Sequence, residues 1–262
     1  VDIMDAEGEV SLPVKGGRHL RENFVGSHYP AYDFTVVLSH FKGHAMGGFG
    51  GAVKNISIGI ASSAGKAWIH SAGKTKNAAQ MWGNLPAQDD FLESMAEAAK
   101  SVADHCGEKI LYINVMNNLS VDCDCDAHPE EPKMGDIGIL ASLDPVALDK
   151  ACVDMVYASP DPGKSHLIER MESRHGIHTL EHAEAIGAGH LQLGLAVVGG
   201  EGHGKGSELG LLSILGVIGV VPAEGHGAGL VGKGLQLVGR ACREGALLVV
   251  ERRQLPRQRL EF

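Results

Sequence analysis

Apolar positions along residues 34–158 fall into two periods, and the switches between them outline a succession of elements. Phe34, Val36, Val37 and Leu38 form an apolar run that predicts a buried strand. From Asp89 to Cys106, apolar residues stand at Phe91, Leu92, Met95, Ala98, Ala99 and Val102. That spacing is one face of a helix, and Gly107 supplies its stop. Lys109 to Met116 is β-branched and apolar enough for an interior strand, and a third strand is expected at Asp136 to Ala141. Asp144-Pro145 reads as an N-cap with proline at the first helical position. The helix it opens has Leu148, Ala151, Cys152 and Met155 on its inner face, and Asp149 and Asp154 are assigned to its exposed faces. Strand, helix, strand, strand, helix with short connections predicts an α/β domain over residues 1–187. Its architecture is a layered mixed or parallel sheet with flanking helices.

Composition changes at Gly189. Residues 189–262 hold 17 glycines and no Asp, Asn, Thr, Tyr, Trp or Met. Residues 188–262 are therefore set apart as a Gly-rich C-terminal tail, read either as a poorly ordered extension or as sequence foreign to the rest. Within it, Leu211 to Val221 reads as a strand or short helix, and Arg252 to Arg259 as a basic end. The chain begins at Val1 with its first methionine at Met4, which predicts a fragment lacking an upstream part.

A net charge of −9 argues against a nucleic-acid partner held by phosphate contacts. No apolar stretch reaches the length of a membrane helix and no leader opens the chain, so a cytoplasmic location without membrane contact is expected. Five cysteines do not suggest a disulfide framework and point to thiols or ligands.

Two stretches carry chemistry. The first is Ser39-His40-Phe41-Lys42-Gly43-His44, running into Gly48-Phe49-Gly50-Gly51-Ala52-Val53-Lys54-Asn55 directly after the first strand. It fails both nucleotide fingerprints. Val53 stands at the third glycine of G-x-G-x-x-G, Gly65-Lys66 is followed by Ala67, and Gly73-Lys74-Thr75 has Trp68 where its first glycine belongs. A weaker reading survives, in which Gly48, Gly50 and Gly51 let backbone amides approach a small anionic ligand. Asn55 and Lys66 assist, and Lys42 and Lys54 supply charge. A plain glycine turn with solvated lysines explains the same residues.

The second stretch is Asp122-Cys123-Asp124-Cys125-Asp126, just past the strand ending near Met116. If extended, it puts both cysteines on one face and the carboxylates on the other. Flanking carboxylates disfavour thiolates unless a cation compensates, and a soft or borderline metal would be such a cation. A calcium loop fails, because Ala127 and Lys133 occupy its sixth and twelfth positions. C-x-C gives two ligands where zinc or iron–sulfur sites need four. His40, His44, His70 and His128 are candidates to complete a set, or pairs from two subunits of a homo-oligomer could share one cluster. Two unligated thiols remain an alternative. His175, His178 and His182 are assigned to a helix surface.

These motifs resemble the DUF362 family, whose members are commonly named uncharacterised Fe–S centre proteins. The resemblance rests on the two stretches above, on Gly65-Lys66 and His70, and on two later runs. These are Asp136-Ile137-Gly138-Ile139-Leu140 and Ser142-Leu143-Asp144-Pro145-Val146-Ala147-Leu148-Asp149. It runs from about Asp33 to Gly187. Many members carry an inserted ferredoxin-type domain with C-x-x-C-x-x-C runs, which this chain lacks, and members have more chain upstream. The resemblance implies an iron–sulfur cluster or other transition metal at Cys123 and Cys125, with a redox partner protein.

Two functions follow as expectations. One is a metal-dependent, redox-linked protein in which His40, His44 and His70 complete the shell or move protons. The other is metal-free: a binding protein, or an acid–base enzyme with His40 or His44 as base and Lys42 or Lys54 stabilising negative charge.

Overall fold

The computed structural model describes residues 1–191 and two short strands beyond them, at 217–220 and 247–251. The rest of the glycine-rich segment, including its basic end and Cys242, lies outside the described residues.

The described chain opens with an antiparallel pair, β1 (Glu9–Pro13) and β2 (Glu22–Gly26). Next come β3 (Thr35–His40), the hairpin of β4 (Lys42–His44) and β5 (Gly48–Gly50), and one α-helical turn, α1 (Ala52–Lys54). That turn continues into a π-helical segment, Asn55–Gly59. Helices α2 (Ser63–His70) and α3 (Gln88–Cys106) precede β6 (Ile110–Met116) and β7 (Gly138–Ser142). Three helices follow, α4 (Pro145–Ala158), α5 (Lys164–Ser173) and α6 (His178–Ala185), and then β8 (Val217–Val220) and β9 (Leu247–Glu251).

The main sheet has the order β3-β6-β7-β9-β8. β3 runs parallel to β6 and β9 parallel to β7, while β6–β7 and β8–β9 are antiparallel. This is the mixed α/β sheet expected from the pattern. Val37, Tyr112 and Leu140 on one of its faces share a core with Ala99 and Val102 of α3 and with Leu148 and Ala151 of α4. Among the described residues no helix is long and apolar enough to cross a membrane.

Three predicted elements arise where their patterns place them. α3 buries Phe91, Leu92, Met95, Ala98, Ala99 and Val102, and Gly107 terminates it at φ 56°, a left-handed conformation that favours glycine. The strand expected at Lys109–Met116 is β6. Asp144 caps α4, accepting from the amides of Val146 and Ala147 at 3.0 Å each, an interaction of about 1 kcal/mol.

Two expectations are corrected. The apolar run at Phe34–Leu38 is not an interior strand: β3 lies at the sheet edge, with Val36 51% and Leu38 65% exposed. Strand alternation still buries Val37 and Ser39. Asp149 is not on an exposed face of α4 but fully buried, while Asp154 is exposed as expected.

Candidate metal centre

Parallel pairing of β3 and β6 brings the two chemical stretches together. His40 pairs with Val115, so both strands end on the same side, and the His/Lys hairpin and the C-x-C loop leave from adjacent carboxyl ends. That is where open α/β sheets build sites. The loops are then stitched: the Gly43 amide donates to the Ser120 carbonyl at 2.8 Å. A Cβ on Gly43 would run into the Val121 carbonyl, so only glycine permits this approach. From α5, Arg170 donates to the Val121 carbonyl at 2.7 Å and to Asp122 at 3.0 Å, holding the loop from the other side.

The C-x-C segment is not extended. It turns, with the Asp126 amide donating to the Cys123 carbonyl at 2.8 Å, which buries Cys123 and exposes Cys125. Both sulfurs nevertheless converge with His44: one ligand atom from each of the three residues lies within 4.8 Å of the other two. The carboxylates diverge from them. Asp122 pairs with Arg170, and Asp124 pairs with Lys42 at 3.1 Å and with Nδ1 of His40 at 2.8 Å.

With Asp122 and Asp124 so occupied, lysine sets the local field. Lys54 Nζ lies 3.8 Å from Cys123 Sγ. Burial pushes the Cys123 thiol up, but hydrogen bonds from Cys125 and the charges of Lys54 and Lys42 outweigh it and bring the thiol below its ordinary value. Cys125, the hydrogen-bonded partner, is pushed up by Cys123 and by burial. Methionine at position 54 retains the stem and removes the charge. Lys54→Met is therefore expected to slow alkylation of Cys123 at neutral pH and move its pH midpoint upward, followed by fragment mass spectrometry to separate it from Cys125. An unchanged midpoint would contradict this account of the thiol.

His44 is less available than its position suggests. Burial, Lys54 and Lys42 push it down to about 3, so the ring is neutral. Its Nδ1 accepts from the amides of Met46 at 3.1 Å and Gly47 at 2.9 Å, which leaves the proton on Nε2. One nitrogen thus has its lone pair engaged and the other carries hydrogen. In this geometry His44 is a hydrogen-bond donor beside the sulfurs rather than a ready ligand.

His40 and His70 do not join the close group of His44, Cys123 and Cys125 among the described residues. Both ring nitrogens of His40 are engaged, by Asp124 and by the Asn117 carbonyl at 2.7 Å. His70 donates from Nδ1 to the Lys66 carbonyl at 2.7 Å and stacks on Phe91. Burial pushes it down, and Lys54 adds to the shift. His128 is exposed on the loop.

The glycine loop is occupied from within. The Ala52 and Val53 amides donate to the two oxygens of Asp149 at 2.7 and 2.9 Å, and Asn114 Nδ2 donates to the same carboxylate at 2.7 Å. Burial pushes Asp149 up to about 6, while these three donors favour its charged form. Where an external anion was expected, α4 supplies its own carboxylate. The glycines have packing reasons instead. A Cβ on Gly51 would collide with Asp149, and Gly48, at φ +79°, is pressed against Gly176. Gly50 is different, since a Cβ there would meet Lys54 and Lys42 only at ordinary contact distances of 3.6 and 3.7 Å. The Asn55 amide is engaged by the Leu38 carbonyl and Ser39 Oγ, and Lys66 is exposed on α2.

Sequence reasoning missed Asp149, Asn114 and Arg170. Asp149 does share a stripe with Cys152, Val153 and Val156, all buried, and that spacing is the signal that places it inside.

A cavity of about 520 Å³ opens beside Cys123, lined by His40, Asn117, Ser120, Asp122, Asp124 and Glu130 among others.

The residues fit a metal in part. Two convergent sulfurs, one with its thiol lowered, suit a thiophilic ion. They do not make the four-ligand shell of a complete iron–sulfur cluster on one chain among the described residues. Cys106 lies 3.1 Å from the Tyr29 hydroxyl and Cys152 is buried 3.3 Å from Asn114 Nδ2.

Residues 1–154, which carry both loops, match the family model described as Domain of unknown function (DUF362). No curated protein and no solved structure matches the chain. With well over half of its residues under that model, the chain belongs to the DUF362 family.

Proposed function

We propose that this protein binds a soft or borderline transition metal through Cys123 and Cys125 and serves redox-linked chemistry. The observation that carries the reading is the convergence of two sulfurs beside Lys54 and Lys42, which replace the repulsion expected from the flanking carboxylates. Two thiolates per chain are both ligands of a low-coordinate ion, or half of a cluster shell shared between two copies. A bound metal would supply electron-transfer or Lewis-acid chemistry. Around it, His44 would donate a hydrogen bond to sulfur, Lys54 would balance thiolate charge, and Arg170 would hold the loop.

Metal-free acid–base chemistry is less well supported. His44, at about 3, is a weak base at neutral pH, and both nitrogens of His40 are engaged. The anion cradle is disfavoured because Asp149 occupies its amides.

Cys123→Ser/Cys125→Ser tests the reading directly. In untagged chain prepared without oxygen, the double variant is expected to lose its thiolate-bound metal and the associated charge-transfer absorption while remaining folded. Full retention of both would end the proposal.

A further inference from the structure

We propose that His19, Asp90 and Glu93, with His178 beside them, form a second site, for a borderline divalent transition metal of which zinc is the model ion. The site lies at the seam where the segment before β2 and helix α6 meet α3, and the two cysteines take no part in it.

Three observations carry the proposal. The first is spacing. His19 Nε2 lies 2.7 Å from one oxygen of Glu93 and 3.8 Å from Asp90, while His178 Nε2 lies 3.1 Å from the other oxygen of Glu93. Tetrahedral zinc, with bonds of about 2.0–2.2 Å, places its ligand atoms roughly 3.3 Å apart. Ligand atoms of His19, Asp90 and Glu93 all lie within 4.8 Å of one another, while His178, grouped closely with His175 and Glu181 instead, would have to shift to join them. Asp90 and Glu93 are three residues apart on α3 and face the same side, and their two charges balance a divalent ion.

The second is positioning. Glu97, fully buried one turn further along α3, accepts from three consecutive amides, those of Arg18, His19 and Leu20, at 2.6, 3.0 and 2.7 Å. A Cβ on Gly17 would crowd the Leu20 carbonyl and Glu97, so glycine lets the chain close around this carboxylate. The clamp fixes the backbone that carries His19, before any ion arrives.

The third is the outer partner of the histidine. His178 Nδ1 faces Glu181 at 3.5 Å, and a carboxylate on the far nitrogen is the usual means of orienting a metal-bound imidazole and raising its basicity. Glu93 is only 9% exposed at its side chain and receives His182 and Arg18 as well, at 4.0 and 3.3 Å. Arg18, 71% exposed, is free to swing away as an ion enters. His178 and His182, read from the sequence as surface residues, thus point at buried carboxylates.

The test uses the untagged Cys123→Ser/Cys125→Ser chain, so that the sulfurs of the first site cannot contribute, and titrates it with Co²⁺ and Zn²⁺. One equivalent of Co²⁺ with d–d bands and no sulfur charge transfer is expected, together with a rise in thermal midpoint on adding Zn²⁺. Adding Glu93→Gln or His19→Ala is expected to weaken binding by about tenfold or more. His178→Ala, a change at a partly exposed position, gives the same readout if Glu93→Gln fails to fold. Absence of a bound equivalent in the Cys123→Ser/Cys125→Ser background overturns the proposal, as does binding that is unchanged by both His19→Ala and His178→Ala. Because the background lacks Cys123 and Cys125, failure here and failure at that pair are read separately.

Discussion

Asp149→Ala is expected to destabilise the fold by on the order of 4 kcal/mol, a large share of the stability of a domain this size. The substitution leaves the Ala52 amide, the Val53 amide and the Asn114 side-chain amide without their acceptor in a fully buried place. Each of these buried donors then carries its own desolvation cost. Gly51→Ala attacks the same point from the other side, since its new Cβ meets the Asp149 carboxylate. The two changes are therefore coupled. In the Asp149→Ala background, Gly51→Ala should cost less than it does alone, with a coupling of about 1–3 kcal/mol in a double-mutant cycle read by urea unfolding. Additive effects would show that Gly51 is glycine for some other reason. This pairing also fixes the start of α1, and with it the direction in which Lys54 points at Cys123.

Gly43→Ala is expected to damage the site more than the fold. Its Cβ would meet the Val121 main-chain carbonyl, which cannot swing aside as a side-chain end can. The hairpin and the C-x-C loop must separate, breaking the 2.8 Å bond between Gly43 and Ser120. Lys42 and His44, on either side of Gly43, then lose register with the sulfurs. Affinity for a thiophilic metal should fall by about tenfold or more. The core of α3, α4 and the sheet lies elsewhere, so circular dichroism should retain its helical signature. Metal binding unchanged in Gly43→Ala would mean that the hairpin takes no part in the site.

The fold was legible where one period dominated. α3 has an apolar stripe and a terminating glycine, β6 a β-branched run, and α4 an aspartate cap followed by proline. β3 was misplaced because an apolar run looks the same at a sheet edge as in its centre; only pairing decides. The chemistry of the site was legible as two stretches, but their meeting was not. It depends on β3 and β6 being parallel neighbours with His40 opposite Val115, a fact separated by 75 residues of chain. Asp149 was misread because only the inner stripe of α4 was considered, whereas that helix is buried on most sides. A related signal was present in Glu93 and Glu97, four apart on α3, and His178 and His182, four apart on α6. The two helices pair them rung by rung, at 3.1 and 3.2 Å.

The pair of sulfurs is the centre of this account. Metal and acid-labile sulfide analysis with an absorption spectrum, on untagged chain prepared and reconstituted without oxygen, tests it most directly. The account predicts a thiophilic metal held by Cys123 and Cys125, with sulfur-to-metal charge transfer. A folded chain that takes up neither iron with sulfide, nor zinc, nor copper(I), or that holds them equally well in Cys123→Ser/Cys125→Ser, would contradict it.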